Sequence, residues 1–204
     1  MSFLFDSFEG WKKHCETKNV SLVQAVVEYE IKQKGRTEEK IWETLGHAWE
    51  VMKDAVHTGL EEDMTSRSGM INNGAKKVYN HKQTVLSKEF QNLISRALAA
   101  KEVNSCMGRI VAAPTAGASG IMPGVLYTVQ EIHDIPDKKI LEAMLLAAGI
   151  ALIMEQKASI SGAVGGCQAE TGTAAAMGAG AIVYCLDGNT NQIFNAVAIT
   201  IQCM

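Results

Sequence analysis

Two stretches of small residues contain the side chains best suited to chemistry. Residues 161–180 read SGAVGGCQAETGTAAAMGAG, in which Cys167, Gln168 and Glu170 are surrounded by glycine and alanine. A second stretch, residues 113–120, reads APTAGASG and has the same character. Small residues allow a ligand or another backbone to approach closely. We therefore predict that these two stretches form the functional site and that the rest of the chain supports them.

Residues 113–120 end in glycine immediately before an apolar segment that has a helical pattern. The N-terminus of a helix offers unpaired N–H groups and partial positive charge, and Gly117 and Gly120 would let a carboxylate or phosphate reach them. Thr115 and Ser119 would add hydroxyl donors. The same pattern also suits a tight crossing of two helices that needs small residues. Both interpretations stay open at this point.

Cys167 is the most reactive candidate, because a thiolate is both a nucleophile and a metal ligand. A single cysteine cannot hold a metal cluster, which takes about three or four thiolates. Cys106 and Cys185 are available as partners, but their spacing does not select them, and no signature selects a histidine as base. Cys15, Cys185 and Cys203 are expected to be buried as small hydrophobic residues.

Composition excludes several classes of protein. The 204 residues carry a net charge of −3 and show no basic stripe, so no nucleic-acid partner is expected. The most apolar segment, residues 141–154, is shorter than the roughly 20 residues that span a bilayer, so no membrane partner is expected either. The N-terminus lacks the pattern of a secretory signal. We expect a cytoplasmic protein with one domain, residues 1–204.

The hydrophobic periodicity predicts an all-α fold, a compact bundle of about seven to eight helices with glycine-rich loops at the site. Ser21 and Gln24 form a capping-box pattern before a helix that ends near Gly35. Further helices are predicted over residues 37–59, 87–104, 121–132, 136–154, 173–186 and 190–204. The polar segment 61–81 is predicted to be a long loop, a candidate for the interface with a partner.

Three motifs resemble the alpha chain of iron–sulfur-dependent L-serine dehydratase. They are SGA followed by GCQAE at residues 161–163 and 166–170, MGRIVAAPTAGASG at residues 107–120, and FNAVAI at residues 194–199. The resemblance runs over most of the chain in order. One departure is Ala116, where some members of the family have asparagine.

The resemblance implies a lyase of amino-acid catabolism and gluconeogenesis that converts L-serine to pyruvate and ammonia. It also implies a 4Fe–4S cluster as the Lewis acid and no pyridoxal phosphate. Cys167 would be the metal ligand, with Gln168, Glu170 and Asn195 near the site. The substrate-binding loop would consist of Thr115, Ala116, Gly117, Ala118, Ser119 and Gly120. The general base is not assigned.

The family's other two ligand cysteines lie beyond Met204, so the resemblance implies a truncated, inactive fragment with an absent or incomplete cluster. Cys203 does not match that motif. A separate beta chain is the expected partner, in a hetero-oligomer. Two alternatives stay open. One is the related cluster-dependent L-cysteine desulfidase, and the other is a non-catalytic helical module that binds a small carboxylic acid or a partner helix.

Overall fold

The computed structural model of the protein describes residues 5–82 and 85–204. Within these ranges the chain forms ten α-helices and one 3-10 turn, Ala116–Ala118, and its only β pairing is an isolated bridge between Thr65 and Asn72. The all-α prediction is confirmed. The helices are α1 Phe8–Lys18, α2 Leu22–Lys34, α3 Glu38–Glu61, α4 Gly74–Asn80, α5 Lys88–Ser105, α6 Ile121–His133, α7 Asp137–Lys157, α8 Gly162–Gly165, α9 Cys167–Cys185 and α10 Thr190–Gln202.

The predicted helix starts coincide with side-chain caps. The Ser21 hydroxyl accepts from the Gln24 N–H at 3.1 Å, and the Gln24 side chain accepts from the Ser21 N–H at 2.8 Å. Thr37 and Ser87 cap α3 and α5 in the same way, each accepting the N–H three residues on. Such caps satisfy N–H groups that have no partner within the helix, which is why short sequence patterns locate them.

Helix α7 forms the centre of the core, as its apolar sequence predicts. Its residues Ile140, Leu146 and Ile150 are fully buried, and the helix packs against α2, α3 and α9. Burial of each such side chain stabilises the fold by about 1.5–3 kcal/mol. Trp11 of α1 is also fully buried and lies against Gly149 of α7. None of the described helices is long and apolar enough to cross a membrane.

Helix α5 packs against α3, α4 and α6, and it also contacts the 3-10 turn Ala116–Ala118 of the loop. A second, smaller apolar cluster fills the space between α3 and α5, and it includes Val56, Ala100 and Val103. This packing fixes the position of α5, which in turn holds the loop before α6.

Parts of the sequence prediction are wrong in detail. Segment 61–81 is not one long loop, because it contains α4, whose first turn is held when the buried carboxylate of Glu102 accepts from the Ala75 N–H at 3.1 Å. Helix α9 begins at Cys167 rather than near residue 173, and helices α1 and α8 were not predicted, so the described residues form ten helices instead of about seven to eight. The α4 and α9 differences have one cause: contacts with distant residues stabilise helical turns that the local sequence leaves undecided.

Candidate functional site

The carboxylate of Glu170 joins the two small-residue stretches. It lies between Gly162 of α8 and Gly117 of the loop before α6, so close to both that a side chain at either position would require Glu170 to move. A Cβ atom built on Gly162 would be 2.7 Å from the Glu170 Cδ, and one built on Gly117 would be 2.8 Å from it. Real Cβ atoms do not approach other atoms so closely. The two stretches predicted to form the site therefore do meet.

Helix α5 holds the loop in place through two side chains that sequence analysis missed. The Lys101 Nζ donates to the Gly117 carbonyl at 3.0 Å, and the Asn104 Nδ2 donates to the Ala116 carbonyl at 2.9 Å. A spacing of three residues puts Lys101 and Asn104 on the same face of α5. Two polar residues at this spacing, just upstream of a glycine-rich loop, are the signal that would have identified them.

The loop also contains two hydroxyl groups without partners. The Oγ1 of Thr115 and the Oγ of Ser119 are shielded from solvent, and neither atom has a hydrogen-bond partner among the described residues. A buried hydroxyl left unpaired costs about 1–3 kcal/mol. Thr115 is partly exposed, whereas Ser119 is only 1% exposed. Thr115 thus borders the site, and Ser119 lies behind it.

Cys167 stands at the start of α9 and is exposed. The preceding residue, Gly166, has a φ of 77°, a conformation that favours glycine, and the space around it is open. Glu170 follows three residues later and lies on the same side of the helix. The geometry leaves Cys167 free to bind a bulky group. No cluster of three or more His, Cys, Asp or Glu residues suited to a metal occurs within residues 5–82 and 85–204.

The other end of the chain comes close to Cys167. The Nε2 of Gln168 donates to the Met204 carbonyl at 3.2 Å, and Met204 also lies against Gly172. The C-terminus of α10 therefore lies beside the N-terminus of α9. The side-chain amide of Gln168 holds these two helix ends together.

The three cysteines that were predicted to be buried differ in their exposure to solvent. Cys185 is buried, as expected, and burial raises the pKa of its thiol to about 11. Burial also raises the pKa of the half-buried Cys15 to about 11. The prediction for Cys203 is wrong, because this residue is exposed. It caps the end of α10, and the buried face of that helix, which contains Ile193 and Val197, does not continue to position 203.

Asn195 lies far from the site in this structure. It is exposed on α10, between Ile193 and Val197, which pack near Gly180 of α9. Thirteen residues of helix separate Gly180 from Cys167, a rise of about 20 Å. Asn195 is therefore not brought together with Cys167 and Glu170.

A cavity of about 420 Å³ lies beside the first residues of the loop. It is lined by residues 111–114 and by Ile160, so it adjoins both small-residue stretches, and its remaining walls are mainly apolar side chains of the core. Glu30 and Glu155 contribute its only charges. Gly117, Cys167 and Glu170 do not line it, so the cavity is a neighbour of the site rather than the site itself.

Comparison with known proteins identifies the family. Residues 17–204 match the serine dehydratase alpha chain family. The chain is 36% identical over 190 residues to the L-serine dehydratase alpha chain of Peptoniphilus asaccharolyticus, covering 92% of this chain and 65% of that protein. It is 35% identical to the probable L-serine dehydratase alpha chain of Bacillus subtilis (strain 168), covering 92% and 63%.

A third relative has a longer chain. The L-serine dehydratase of Haemophilus influenzae is 34% identical over 206 residues, covering 97% of this chain and 45% of that protein. The chain thus spans between about half and two thirds of the length of these relatives. The matches cover both small-residue stretches, because they extend over nearly all of this chain. The chain belongs to the serine dehydratase alpha chain family.

Proposed function

We propose that this chain is the alpha chain of an L-serine dehydratase, a lyase that converts L-serine to pyruvate and ammonia. The observation that carries the proposal is the meeting of the two small-residue stretches around Glu170, in a chain whose residues 17–204 match the family. Loss of the α-proton and the β-hydroxyl of serine as water gives an enamine. Hydrolysis of that enamine gives pyruvate and ammonia.

The residues present fit one part of a 4Fe–4S site. Cys167 is exposed, the space beside the preceding Gly166 is open, and its thiolate would provide one ligand. We assign no second ligand, since the described residues contain no group of three or more His, Cys, Asp or Glu residues placed to hold a metal ion. When bound, the cluster would supply a Lewis acid for the serine hydroxyl.

The chain's own residues would bind and orient the substrate. The loop of residues 115–120 is fixed by two hydrogen bonds from α5, and it contains the Thr115 hydroxyl, which has no hydrogen-bond partner among the described residues. An ordered loop of this kind holds a substrate in one geometry, which lowers the entropic cost of reaction. A separate beta chain is the proposed partner, since two relatives are named as alpha chains.

The experiment that tests this function compares iron content with turnover. The full-length protein that contains this chain is reconstituted anaerobically with its beta partner, and iron, acid-labile sulfide and pyruvate formation are measured. We expect about four irons per assembly in the wild type. The Cys167→Ser variant should lose the iron and the turnover together.

Cys203→Ser is the matched control, because Cys203 is also exposed and lies next to Met204, which contacts Gln168. This variant should keep its iron and its activity. Iron-free wild-type protein without serine turnover would contradict the proposed function. Retention of the full cluster by Cys167→Ser would contradict the role of that cysteine.

A further inference from the structure

Two side chains of opposite charge lie close to Gly117 without forming an ion pair with each other. Glu170 contacts this residue through its carboxylate, and Lys101 donates to its carbonyl. Among the described residues, the carboxylate of Glu170 accepts no hydrogen bond, and neither side chain takes part in an ion pair. Both residues are half-buried.

Charges in such positions are normally paired. A charged group withdrawn from water loses part of its hydration, and a nearby partner of opposite sign usually compensates for the loss. Glu170 gains a little from its place in the first turn of α9, where the helix dipole favours an acid. This effect acts within one helix and does not explain why the carboxylate is held against two glycines from other segments.

We infer that Lys101 and Glu170 recognise the two charges of a free α-amino acid, Lys101 the α-carboxylate and Glu170 the α-ammonium group. A zwitterion needs one anchor of each sign a short distance apart, and here both anchors border the same residue. Thr115 is two residues from Gly117, so its Cα lies within about 7.6 Å of the Cα of Gly117. The inference rests on the proposed function, and it adds how that site would distinguish serine from a hydroxy acid that lacks the α-ammonium group.

Two truncated forms of serine separate the anchors. Ethanolamine keeps the ammonium and hydroxyl groups but lacks the carboxylate, and 3-hydroxypropionate keeps the carboxylate and hydroxyl groups but lacks the ammonium. Neither compound can give pyruvate, because ethanolamine has no carboxylate and 3-hydroxypropionate has no amino group. Their binding is measured by ligand-observed NMR on the full-length protein with its beta partner, and their inhibition constants against L-serine are measured in parallel.

Each variant should affect one probe only. In Glu170→Gln we expect ethanolamine to bind at least about tenfold more weakly and 3-hydroxypropionate to change by less than about twofold. In Lys101→Met the pattern should reverse. Both variants should raise the KM for L-serine. Lys40→Gln and Glu43→Gln are the matched controls, because they remove the charges of an exposed pair on α3 and should change neither probe.

The experiment distinguishes failure of the two anchors, Lys101 and Glu170, from failure of the proposed dehydratase function. If the wild type turns over L-serine but each variant weakens both probes equally, or weakens neither, the two anchors are wrong and the dehydratase function stands. The anchor role of Glu170 is also wrong if Glu170→Gln abolishes turnover while ethanolamine binds normally. That result would indicate that Glu170 transfers a proton and does not bind the ammonium group. If the wild type neither turns over L-serine nor binds either probe, the proposed function fails and the inference fails with it.

Discussion

The same substitution at two glycines should have different effects on stability and on binding, because their neighbours differ. At Gly59 in α3, an added Cβ would lie 2.6 Å from the carbonyl carbon and 2.7 Å from the Cα of Ala99 in α5. At Gly117, it would lie 2.8 Å from the Cδ of Glu170 and 3.0 Å from its Oε1. The first neighbour is helix backbone, whereas the second is the end of a flexible side chain.

The magnitudes follow from what must move. Carbon atoms in contact are normally about 3.5–4.0 Å apart, so Gly59→Ala requires α3 and α5 to separate by about 1 Å. Overpacking of this kind costs about 1–3 kcal/mol, and the higher helix propensity of alanine recovers about 0.5–1 kcal/mol, so the middle of these ranges leaves a net cost of about 1–2 kcal/mol. In Gly117→Ala, rotation of Glu170 relieves the clash at a cost of about 0.5–1.5 kcal/mol.

The assay combines thermal unfolding with ethanolamine binding. For a chain of this length, 1 kcal/mol corresponds to a change of about 2–4 °C in Tm. Gly59→Ala should lower the Tm by about 2–8 °C and bind ethanolamine normally at 20 °C. Gly117→Ala should change the Tm less but weaken ethanolamine binding about tenfold, since Glu170 is displaced.

Two results would refute this reasoning. If Gly117→Ala destabilises the protein as much as Gly59→Ala does, then Glu170 is not free to move and its carboxylate has a structural role. If Gly59→Ala leaves the Tm unchanged, then the backbones of α3 and α5 are not in the close contact described above.

Three further predictions concern the support of the site and the buried thiols. Glu102→Ala should increase proteolytic cleavage within residues 62–80 without lowering overall helix content, because the carboxylate holds the first turn of α4; an unchanged cleavage pattern would show that it does not. Arg96→Met should lower the free energy of unfolding by about 1–3 kcal/mol, since the buried guanidinium donates to Thr128 at 3.1 Å and to Glu131 at 2.6 Å; urea titration measures this, and a change below about 0.5 kcal/mol would contradict it. Burial raises the pKa of Cys185 from 9.0 to about 11, so the folded state retains a proton that the unfolded state releases, and this part of the stability should be lost as the pH rises from about 9 to 11. Thermal melts over this range should show a smaller loss in Cys185→Ala, and an equal loss would rule out this thiol as a cause.

The sequence alone determined most of the helical framework. Caps such as Ser21 with Gln24 act over three residues, and the apolar repeat of α7 requires burial wherever the helix lies in the fold. Both are local properties, and they can be predicted without knowledge of the neighbours. The three motifs likewise identified the family, which the match over residues 17–204 confirms.

The tertiary structure decided how the site is assembled. Glu170 lies against Gly117 and Gly162, and Lys101 holds the loop from α5, across separations of 53, 8 and 16 residues that no local pattern encodes. The early start of α9 at Cys167 and the existence of α4 also depend on distant contacts. A short helical turn is only marginally stable by itself, so long-range packing decides whether it forms. The tertiary structure also decides which small residues must be glycine, because another part of the chain determines how much space is left for a side chain.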